Sequence, residues 1–198
     1  MTQCIEFETE RLRLRQWREA DRTPFAALNA DPAVMAFFLA TLARADSDAM
    51  AERIAAAIDE RGWGLWAAEE RASGVFIGFV GLGVPRADLP FSPCVEIGWR
   101  LARAHWGKGY ALEAARASLC IGFERLGLSE VVSFTAAANL RSEAVMQRLG
   151  MRAEGVFEHP ALPEGHALRT HKLYRLGRAS WSTSSRNCGN TFDTFASR

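Results

Sequence analysis

The stretch Val95–Ala111, VEIGWRLARAHWGKGYA, decides the fold of this chain. Its first half, up to Leu101, has the pattern of a β-strand, and Gly107-Lys108-Gly109 then opens a helix. Glycine at a helix entrance permits positive φ angles and lets backbone N–H groups come close to a ligand. The first N–H groups of a helix have no internal partner, and the helix dipole is positive there. The pattern therefore predicts a phosphate-binding loop, with a ligand-free glycine connection as the alternative.

Two familiar phosphate-binding motifs do not fit this loop. A P-loop has a hydroxyl residue after its lysine, whereas Lys108 is followed by Gly109. The dinucleotide fingerprint needs a third glycine three positions further on, where this chain has Leu112. A different arrangement must therefore hold the phosphate groups.

The chain resembles the GNAT N-acetyltransferases in a series of motifs. EIGW precedes the loop, WGKGYALEA crosses it, and Asn-x-x-Ser and RLGM follow some thirty residues later. The chain is most similar to the RimJ/RimL-like branch of ribosomal-protein N-acetyltransferases. In the family motif Gln/Arg-x-x-Gly-x-Gly/Ala, both glycines match and Ala104 stands at the first position. The resemblance covers residues 6–181, which we expect to form one acetyltransferase domain.

The hydrophobic patterns predict the element order β-α-α-β-β-β-α-β-α-β-β. A crossover helix between strands 95–101 and 131–136 makes one parallel pair in a mostly antiparallel sheet. The expected fold class is therefore α/β (α+β). The resemblance implies the GNAT acyl-CoA N-acyltransferase fold, a mixed sheet with one central parallel strand pair and flanking helices.

The N-terminal third is predicted to contain three helical stretches. Asp21 is expected to cap the first, and an Asp-Pro pair to start the second, over 33–39. The third is expected to begin at Asp46 or the next residue and to end at Gly62. The resemblance places these helices beside the acceptor cleft. It makes cleft residues of three aromatics that would otherwise be ordinary core residues, Phe37, Phe38 and Trp63.

Composition limits the classes of function. The chain has 198 residues, 48% of them hydrophobic, which is enough for one packed domain. Its 24 basic and 23 acidic residues give a net charge of +1, which argues against a nucleic-acid or anionic-membrane partner. No apolar run reaches the ~18 residues of a membrane helix. The four histidines are dispersed, so no metal site is predicted.

Cysteine usage bears on the compartment. The four cysteines show no C-x-x-C spacing and the chain shows no signal peptide, so we expect reduced thiols in a cytoplasmic protein. The sequence is compatible with a homodimer. Residues 182–198 change to a polar, non-periodic composition, which predicts a flexible C-terminal tail. An altered reading frame would have the same appearance.

The resemblance implies acetyl-CoA as co-substrate and assigns residues to it. The strand after Glu96 would pair with the pantetheine arm, and a backbone N–H near Trp99 would polarise the thioester carbonyl. The loop amides would hold the pyrophosphate, and Asn139 would bond the pantetheine amide. The implied binding residues are Ile97, Gly98, Trp99, Leu101, His105, Trp106, Gly107, Lys108, Gly109, Tyr110, Asn139 and Ser142.

Glu96 and Ser142 are the candidate catalytic residues. A carboxylate at Glu96 could take a proton from an ammonium through water if partial burial raised its pKa. A solvated residue or an ion pair with an arginine is the alternative. In this branch a hydroxyl at the position of Ser142 can protonate the coenzyme sulfur, whereas helix capping is the ordinary role of such a residue. Arg103 and Arg141 are either contacts of the 3′-phosphate or solvated surface residues.

The sequence thus predicts an acetyl-CoA-dependent N-acetyltransferase. It would move the acetyl group directly to a primary amine, either a protein N-terminus or a small-molecule amine, because no cysteine stands at a matching catalytic position. A non-catalytic CoA-sensing module with the same fold is the main alternative. An interaction scaffold that uses exposed aromatic residues is a weaker one.

Overall fold

Eight strands of the protein form a single sheet in the computed structural model, which describes residues 3–184. Successive residues of each strand face opposite sides of the sheet, as the period of two in the sequence predicts. Their bounds are β1 (Phe7–Glu8), β2 (Leu12–Arg15), β3 (Leu65–Glu70), β4 (Val75–Gly83), β5 (Glu96–Leu101), β6 (Glu130–Ala136), β7 (Arg152–Glu158) and β8 (Thr170–Gly177).

The sheet order is β1-β2-β3-β4-β5-β6-β8-β7. Every neighbouring pair is antiparallel except β5 and β6, which are parallel. The predicted fold class, a mixed and mostly antiparallel sheet with one central parallel pair, is confirmed. Along the chain, the order of helices and strands from β2 to β8 is the predicted one, and β1 adds a short strand at the edge of the sheet.

Five helices flank the sheet within the described residues, and glycines mark several of their ends. Helix α2 ends at Gly62, as predicted, with φ at +80°. Helix α3 begins two residues later than predicted, because Gly109 has φ at +83° and forms its N-cap. A π-helical turn over Ile121–Arg125 continues α3. The helices are α1 (Arg22–Ala30), α2 (Arg44–Arg61), α3 (Tyr110–Cys120), α4 (Leu140–Arg148) and α5 (Arg178–Ser184).

Residues 33–39 do not form the predicted helix; they form a series of turns and bends. The carboxylate of Asp31 accepts a hydrogen bond from the Ala33 N–H at 2.8 Å. Such a local turn competes with helix formation. Val34 and Met35 are nevertheless buried, so tertiary packing holds the irregular segment in place.

The side chain of Asp21 does not cap α1, contrary to the prediction. Its carboxylate accepts hydrogen bonds from Arg15 at 2.7 and 2.8 Å. Arg15 also donates to Glu69 at 2.8 Å, and all three residues are buried. The guanidinium thus has two carboxylate partners, which is the usual condition for burying an arginine. The ion-pair network joins β2, β3 and the start of α1.

Apolar side chains cover both faces of the sheet. The larger cluster lies under α3 and includes Ile97 and Leu101 of β5. The smaller cluster lies under α1 and includes Phe25 and Phe79. Successive residues of β5 therefore face different surroundings: Ile97 and Leu101 face the α3 side, whereas Glu96, Gly98 and Arg100 face the α1 side.

Two further expectations concern the cysteines and the chain end. Cys4 and Cys94 are free thiols, whereas Cys120 is disulfide-bonded, so the expectation of reduced thiols is wrong at Cys120. The fourth cysteine, Cys188, is beyond the described residues. The first three residues of the expected tail belong to α5, and 185–198 lie outside the described residues.

Residues 3–184 contain no membrane-spanning helix and no cluster of metal-binding side chains. No helix there is both long and apolar enough to cross a bilayer. In the same part of the chain, no group of three or more histidine, cysteine or acidic side chains could hold a metal ion.

Candidate active site

Strands β5 and β6 pair over a very short length. Their single register pair is Glu96 with Val132, and the Val132 N–H donates to the Val95 carbonyl at 2.9 Å. Further along, the Ser133 hydroxyl donates to the Ile97 carbonyl at 2.9 Å, so a side chain bridges the strands in place of backbone. Beyond that bridge β5 remains paired with β4, and β6 with β8. The two parallel strands therefore separate and leave a notch edged by backbone groups.

The backbone of Trp99 faces this notch. Val95 and Ile97 direct their carbonyls toward β6, and successive residues alternate, so the N–H and C=O of Trp99 point the same way. The carbonyl of Leu101 also faces the notch but accepts a bond from the Trp106 indole at 2.8 Å. Gly98 differs from the expectation, because the same alternation turns its backbone groups toward β4. Trp99 is thus the residue of β5 that best matches the predicted pairing.

The loop between β5 and α3 contains a run of unbonded amides. The His105 and Trp106 N–H groups are already used in a turn, bonding Ala102 and Arg103 at 2.9 and 3.2 Å. The first bond of α3 joins the Glu113 N–H to the Gly109 carbonyl at 3.0 Å. The amides of 107–112 have no acceptor within the described part of the chain. We call the unbonded amides of 107–112 the cradle. Compared with the predicted phosphate-binding loop, the cradle lacks the amides of residues 105 and 106 and includes those of the first turn of α3.

The two glycines keep this cradle open. Gly107 and Gly109 have φ of +74° and +83°, which a side chain would oppose. A Cβ placed on Gly107 would meet no atom within 4 Å, so the space beside its amide is open. Open, unpaired amides at the positive end of a helix suit a diphosphate group.

Arg11 holds the loop in place and was missed by the sequence analysis. Its guanidinium donates to the Lys108 carbonyl at 2.9 Å and to Glu113 at 2.6 Å, and it lies 4.7 Å from the centroid of the Tyr110 ring. Thr9 also donates to Glu113, at 2.6 Å. Glu113 lies in the first turn of α3, where an unpaired carboxylate would repel a phosphate. The position of Glu113 in the sequence was therefore a signal that a cation would lie next to its carboxylate.

The surroundings of the cradle are positively charged. Lys108 and Arg103 form no ion pair among the described residues, and Arg141 lies 4.1 Å from the Trp106 ring. Burial, followed by the nearby Lys108 charge, lowers the pKa of His105, which favours its neutral form. One carboxylate, Glu70, lies near Lys108 and accepts a hydrogen bond from the Tyr110 hydroxyl. Arg103 and Arg141 add their charges to that of Lys108, so the rim is on balance attractive to phosphate groups.

Asn139 caps α4, which is an ordinary role for an asparagine directly before a helix. Its side-chain oxygen accepts from the Ser142 N–H at 3.2 Å, and its amide nitrogen donates to the Thr135 and Ser142 hydroxyls at 3.0 Å each. The Ser142 oxygen is therefore an acceptor in this cap, and its own proton is left to donate. Both residues lie next to the end of β6, on the far side of the notch from β5.

Removing the cap tests this assignment. We expect Asn139→Ala to lower the free energy of unfolding by about 1 kcal/mol, because an N-cap bond and two bonds to hydroxyls are lost. Leu140→Ala is the matched control, since Leu140 is 66% exposed at the first residue of the same helix. Urea unfolding of both variants measures the difference. Equal stability of the two variants would contradict the cap.

Glu96 has a carboxyl group without a partner. Among the described residues it makes no hydrogen bond or ion pair. Although the residue keeps some accessible surface, the surrounding protein desolvates the carboxyl and raises its pKa to about 8. The ion pair with an arginine, weighed from the sequence, is therefore not present in the described structure. A carboxyl that changes charge near neutral pH is suited to accept a proton.

Two glycines, Gly83 and Gly98, form the sheet surface beside Glu96, and Leu65 is the nearest other side chain. A Cβ on Gly98 would lie 3.7 Å from the Glu96 carboxylate oxygen and 4.0 Å from Leu65. A Cβ on Gly83, the register partner of Glu96, would meet Leu65 alone, at 3.8 Å. The two glycines thus leave room on the α1 face of the sheet for a substrate group next to the carboxyl.

An open depression of about 370 Å³ lies at the other end of these strands. It is lined by residues just before β5 and at the start of β6, including Pro93, Cys94 and Glu130. Its charged group, Glu130, is already paired with Arg175. The unpaired amides are at the opposite, carboxyl end of β5, so chemistry and not cavity size locates the candidate site.

Comparison with known proteins identifies the family of this chain. The family model described as "Acetyltransferase (GNAT) domain" matches residues 11–152. The chain belongs to the GNAT acetyltransferase family. It is 34% identical over 146 residues to the uncharacterized protein YkkB of Bacillus subtilis, covering 72% of this chain and 83% of that protein.

Solved structures of GNAT acetyltransferases share the fold. An acetyltransferase from Agrobacterium tumefaciens is 27% identical, with a TM-score of 0.71 over 89% of this chain and 96% of that one. RimL, a ribosomal L7/L12 alpha-N-protein acetyltransferase solved with coenzyme A, is 15% identical, with a TM-score of 0.68 over 85% and 95% of the two chains. The RimL likeness shows the fold alone.

Membership of the GNAT family identifies the co-substrate as acetyl-CoA and the class of reaction as acyl transfer. The described residues fit that molecule. The open amides of 107–112 and the cationic rim suit its phosphates, and the notch beside Trp99 offers backbone groups to an extended amide chain.

Proposed function

We propose that this chain transfers the acetyl group of acetyl-CoA directly to a primary amine, with Glu96 as the base and Ser142 as the acid. The observation that supports it best is the separation of β5 and β6 beyond Glu96 and Val132. Glu96 and the notch lie along β5, and the cradle follows the carboxyl end of the same strand. A pairing that continued to the end of β5 would leave the backbone of Trp99 no free hydrogen-bonding group.

The loop amides and Trp99 have a positioning role in this proposal. The cradle amides of 107–112 bind the phosphates, and the Trp99 N–H donates to the thioester oxygen as negative charge develops on it. Both donors belong to backbone held by β4 or α3, so they need little rearrangement during the reaction. Fixed donors of this kind stabilise a transition state more than mobile ones do.

Glu96 provides the route for the proton of the amine. An amine attacks only after an ammonium has lost its proton, and the unpartnered carboxylate can accept that proton through a water molecule. Its pKa near 8 makes it a stronger base than an ordinary glutamate once it is ionised. Gly98 leaves the neighbouring space open for the amine.

Ser142 provides the proton for the other end of the reaction. As the new C–N bond forms and the C–S bond breaks, the departing thiolate needs a proton. The Ser142 hydroxyl accepts from Asn139 at 3.0 Å, which fixes its oxygen and leaves its proton free to be donated. The hydrogen bonds that cap α4 therefore also hold the hydroxyl of the proposed acid in place.

Replacing Ser142 tests this role. We expect Ser142→Ala to lower kcat about tenfold while acetyl-CoA still binds, because a positioned acid is lost and water must replace it. Ser142→Thr keeps the hydroxyl and is the matched control, expected to retain most of the wild-type kcat. A Ser142→Ala enzyme with wild-type kcat would rule out the acid role.

The acceptor is either a protein N-terminus or a small-molecule amine. The motifs resemble those of the RimJ/RimL-like branch, whose implied acceptors are ribosomal-protein N-termini. Near-neutral charge gives no reason to expect a polycationic acceptor. We keep the cytoplasm as the proposed location.

The deciding experiment combines binding with turnover. Calorimetry with acetyl-CoA tests the cradle, and a mass-resolved screen of amines and N-terminal peptides tests transfer. We expect coenzyme binding and acetylation of at least one amine class. Absence of coenzyme binding would overturn the whole proposal, whereas binding without transfer to any amine would favour the CoA-sensing alternative.

A further inference from the structure

The α1 face of β5 carries a second charged side chain, Arg100, whose surroundings are unusual. It is 91% buried, since its relative exposure is 9%. No carboxylate lies within ion-pair distance of it among residues 3–184. Its hydrogen bonds go to neutral atoms, from Nη1 to the Asn29 side-chain oxygen at 2.6 Å and to the Met50 sulfur at 3.8 Å.

Arg15 is a second buried arginine, and its role is structural. It is buried to a similar degree, and its guanidinium is bonded to both Asp21 and Glu69. Burying a cation without an opposite charge costs free energy, and proteins ordinarily supply a partner. Burial lowers the pKa of Arg100 to about 10, yet the group stays charged at neutral pH. The rings of Phe38 and Phe79 lie 4.1 and 5.5 Å from the guanidinium carbon and offset part of this cost, but no carboxylate of the described chain neutralises the charge of Arg100.

The unpaired part of Arg100 is one whole edge of the guanidinium. Nε is buried without an acceptor, and Nη2 donates no hydrogen bond among the described residues. These two nitrogens form the fork that binds a carboxylate with two parallel hydrogen bonds. The ring of Phe38 lies 4.1 Å from the guanidinium carbon and is itself 43% exposed, so it covers one side of the group from solvent.

Arg100 lies on the same strand face as Glu96, and Gly98 separates them. Residues four apart on a strand are about 13 Å apart along its axis. Gly98 carries no side chain, and a Cβ placed there would be in ordinary contact with Glu96 and Leu65 and would clash with neither. An acceptor lying over Gly98 with its amine near Glu96 would place an anionic group, several bonds away, within reach of Arg100.

We propose that the Nε/Nη2 edge of Arg100 is a carboxylate-binding subsite of the acceptor cleft, so that the preferred acceptor is an amine that also bears a carboxylate. Phe38 then acts as a cover that moves aside to admit the carboxylate to Nε. This inference rests on the proposed transfer to an amine. Phe38 was a cleft candidate from the sequence, and this contact gives it a specific role.

The test is a matched series of acceptors. We compare ω-amino acids of about three to eight methylene groups with the corresponding carboxamides, and measure kcat/KM for each pair. The wild-type enzyme is expected to prefer the carboxylate about 10- to 100-fold, the usual effect of charge-assisted hydrogen bonds. Arg100→Gln is expected to bring the ratio near one. Arg44→Gln, which removes an exposed arginine of α2, is expected to retain the wild-type ratio.

Asn29→Asp provides an independent variant that conserves shape. The carboxylate introduced at position 29 would lie beside Nη1 and give Arg100 a counter-ion inside the protein. We therefore expect a higher Tm and a preference for carboxylate-bearing acceptors that is at least about tenfold weaker. Acetylation of both series with equal kcat/KM in the wild type, or an unchanged preference in Asn29→Asp, would overturn the subsite alone. Failure to acetylate any amine would overturn the proposed function as well.

Discussion

Gly107→Asp is expected to raise the Kd for acetyl-CoA at least about 100-fold, because it places a carboxylate among the amides that would face the diphosphate. The new Cβ meets no atom within 4 Å, so the loop can accept the side chain without a clash. The cause of the loss would be charge repulsion and competition for the amides of 107–112. Calorimetry with acetyl-CoA measures the effect directly.

Two controls separate charge from backbone strain. Gly107→Asn has the same shape and tolerates the positive φ of +74° as well as aspartate does, so a loss of less than about tenfold is expected. Gly127→Asp introduces the same residue at a similar φ of +71°, with no atom within 4 Å of the new Cβ, beyond the π-helical turn that ends the helix opposite the cradle. It is expected to leave the Kd unchanged. Tight binding by Gly107→Asp would show that the cradle has been wrongly located.

Glu96→Gln is expected to lower kcat/KM about 100-fold at pH 8, the usual contribution of a positioned general base. In the wild type, kcat/KM should rise with pH and level off above about 8, as the carboxyl becomes ionised. The variant should lose this inflection and show instead a rise that continues at higher pH, because without the base it depends on amine that has already lost its proton in solution. Values of kcat/KM for the amine, measured across pH at saturating acetyl-CoA, distinguish the wild-type profile from that of the variant.

The stability of the same variant provides its control. The pKa of Glu96 is raised from 4.5 to about 8 in the folded protein, so folding favours its protonated form. This contribution to stability is present below pH 4.5 and is lost as pH rises through 8. Glu96→Gln removes the cost of charging the buried group, so its Tm at pH 9 should exceed that of the wild type. An inactive variant with a lower Tm at every pH would indicate misfolding instead of loss of a base.

Much of the fold was predictable because its signals are local. Gly62 and Gly127 end helices at positive φ, and Asn139 caps α4, each through contacts within a few residues. The alternation of apolar residues predicted the strands for the same reason. The helix over 33–39 was predicted wrongly, since the local turn at Asp31 and the burial of nearby side chains outweigh helix propensity.

The candidate site was predictable in position more than in detail. The glycine pattern located the cradle, yet only the structure shows that the amides of His105 and Trp106 are already bonded. Asp21 stands only six residues from Arg15, but the sequence does not show that the two meet or that Arg100 stays unpaired. The difference arises because Arg15 meets Glu69, which is 54 residues away, whereas Arg100 meets the neutral Asn29, which is 71 residues away.

By itself the sequence determined the order of strands and helices, the glycine cradle and the family resemblance, because each depends on neighbours along the chain. Only the tertiary structure decided where β5 and β6 separate, which amides stay unpaired, how strongly Glu96 is desolvated and which buried arginine lacks a counter-ion. Hydrogen bonding and electrostatic energy depend on which groups meet across long sequence separations. The assembly of the sheet decides which of these groups come into contact.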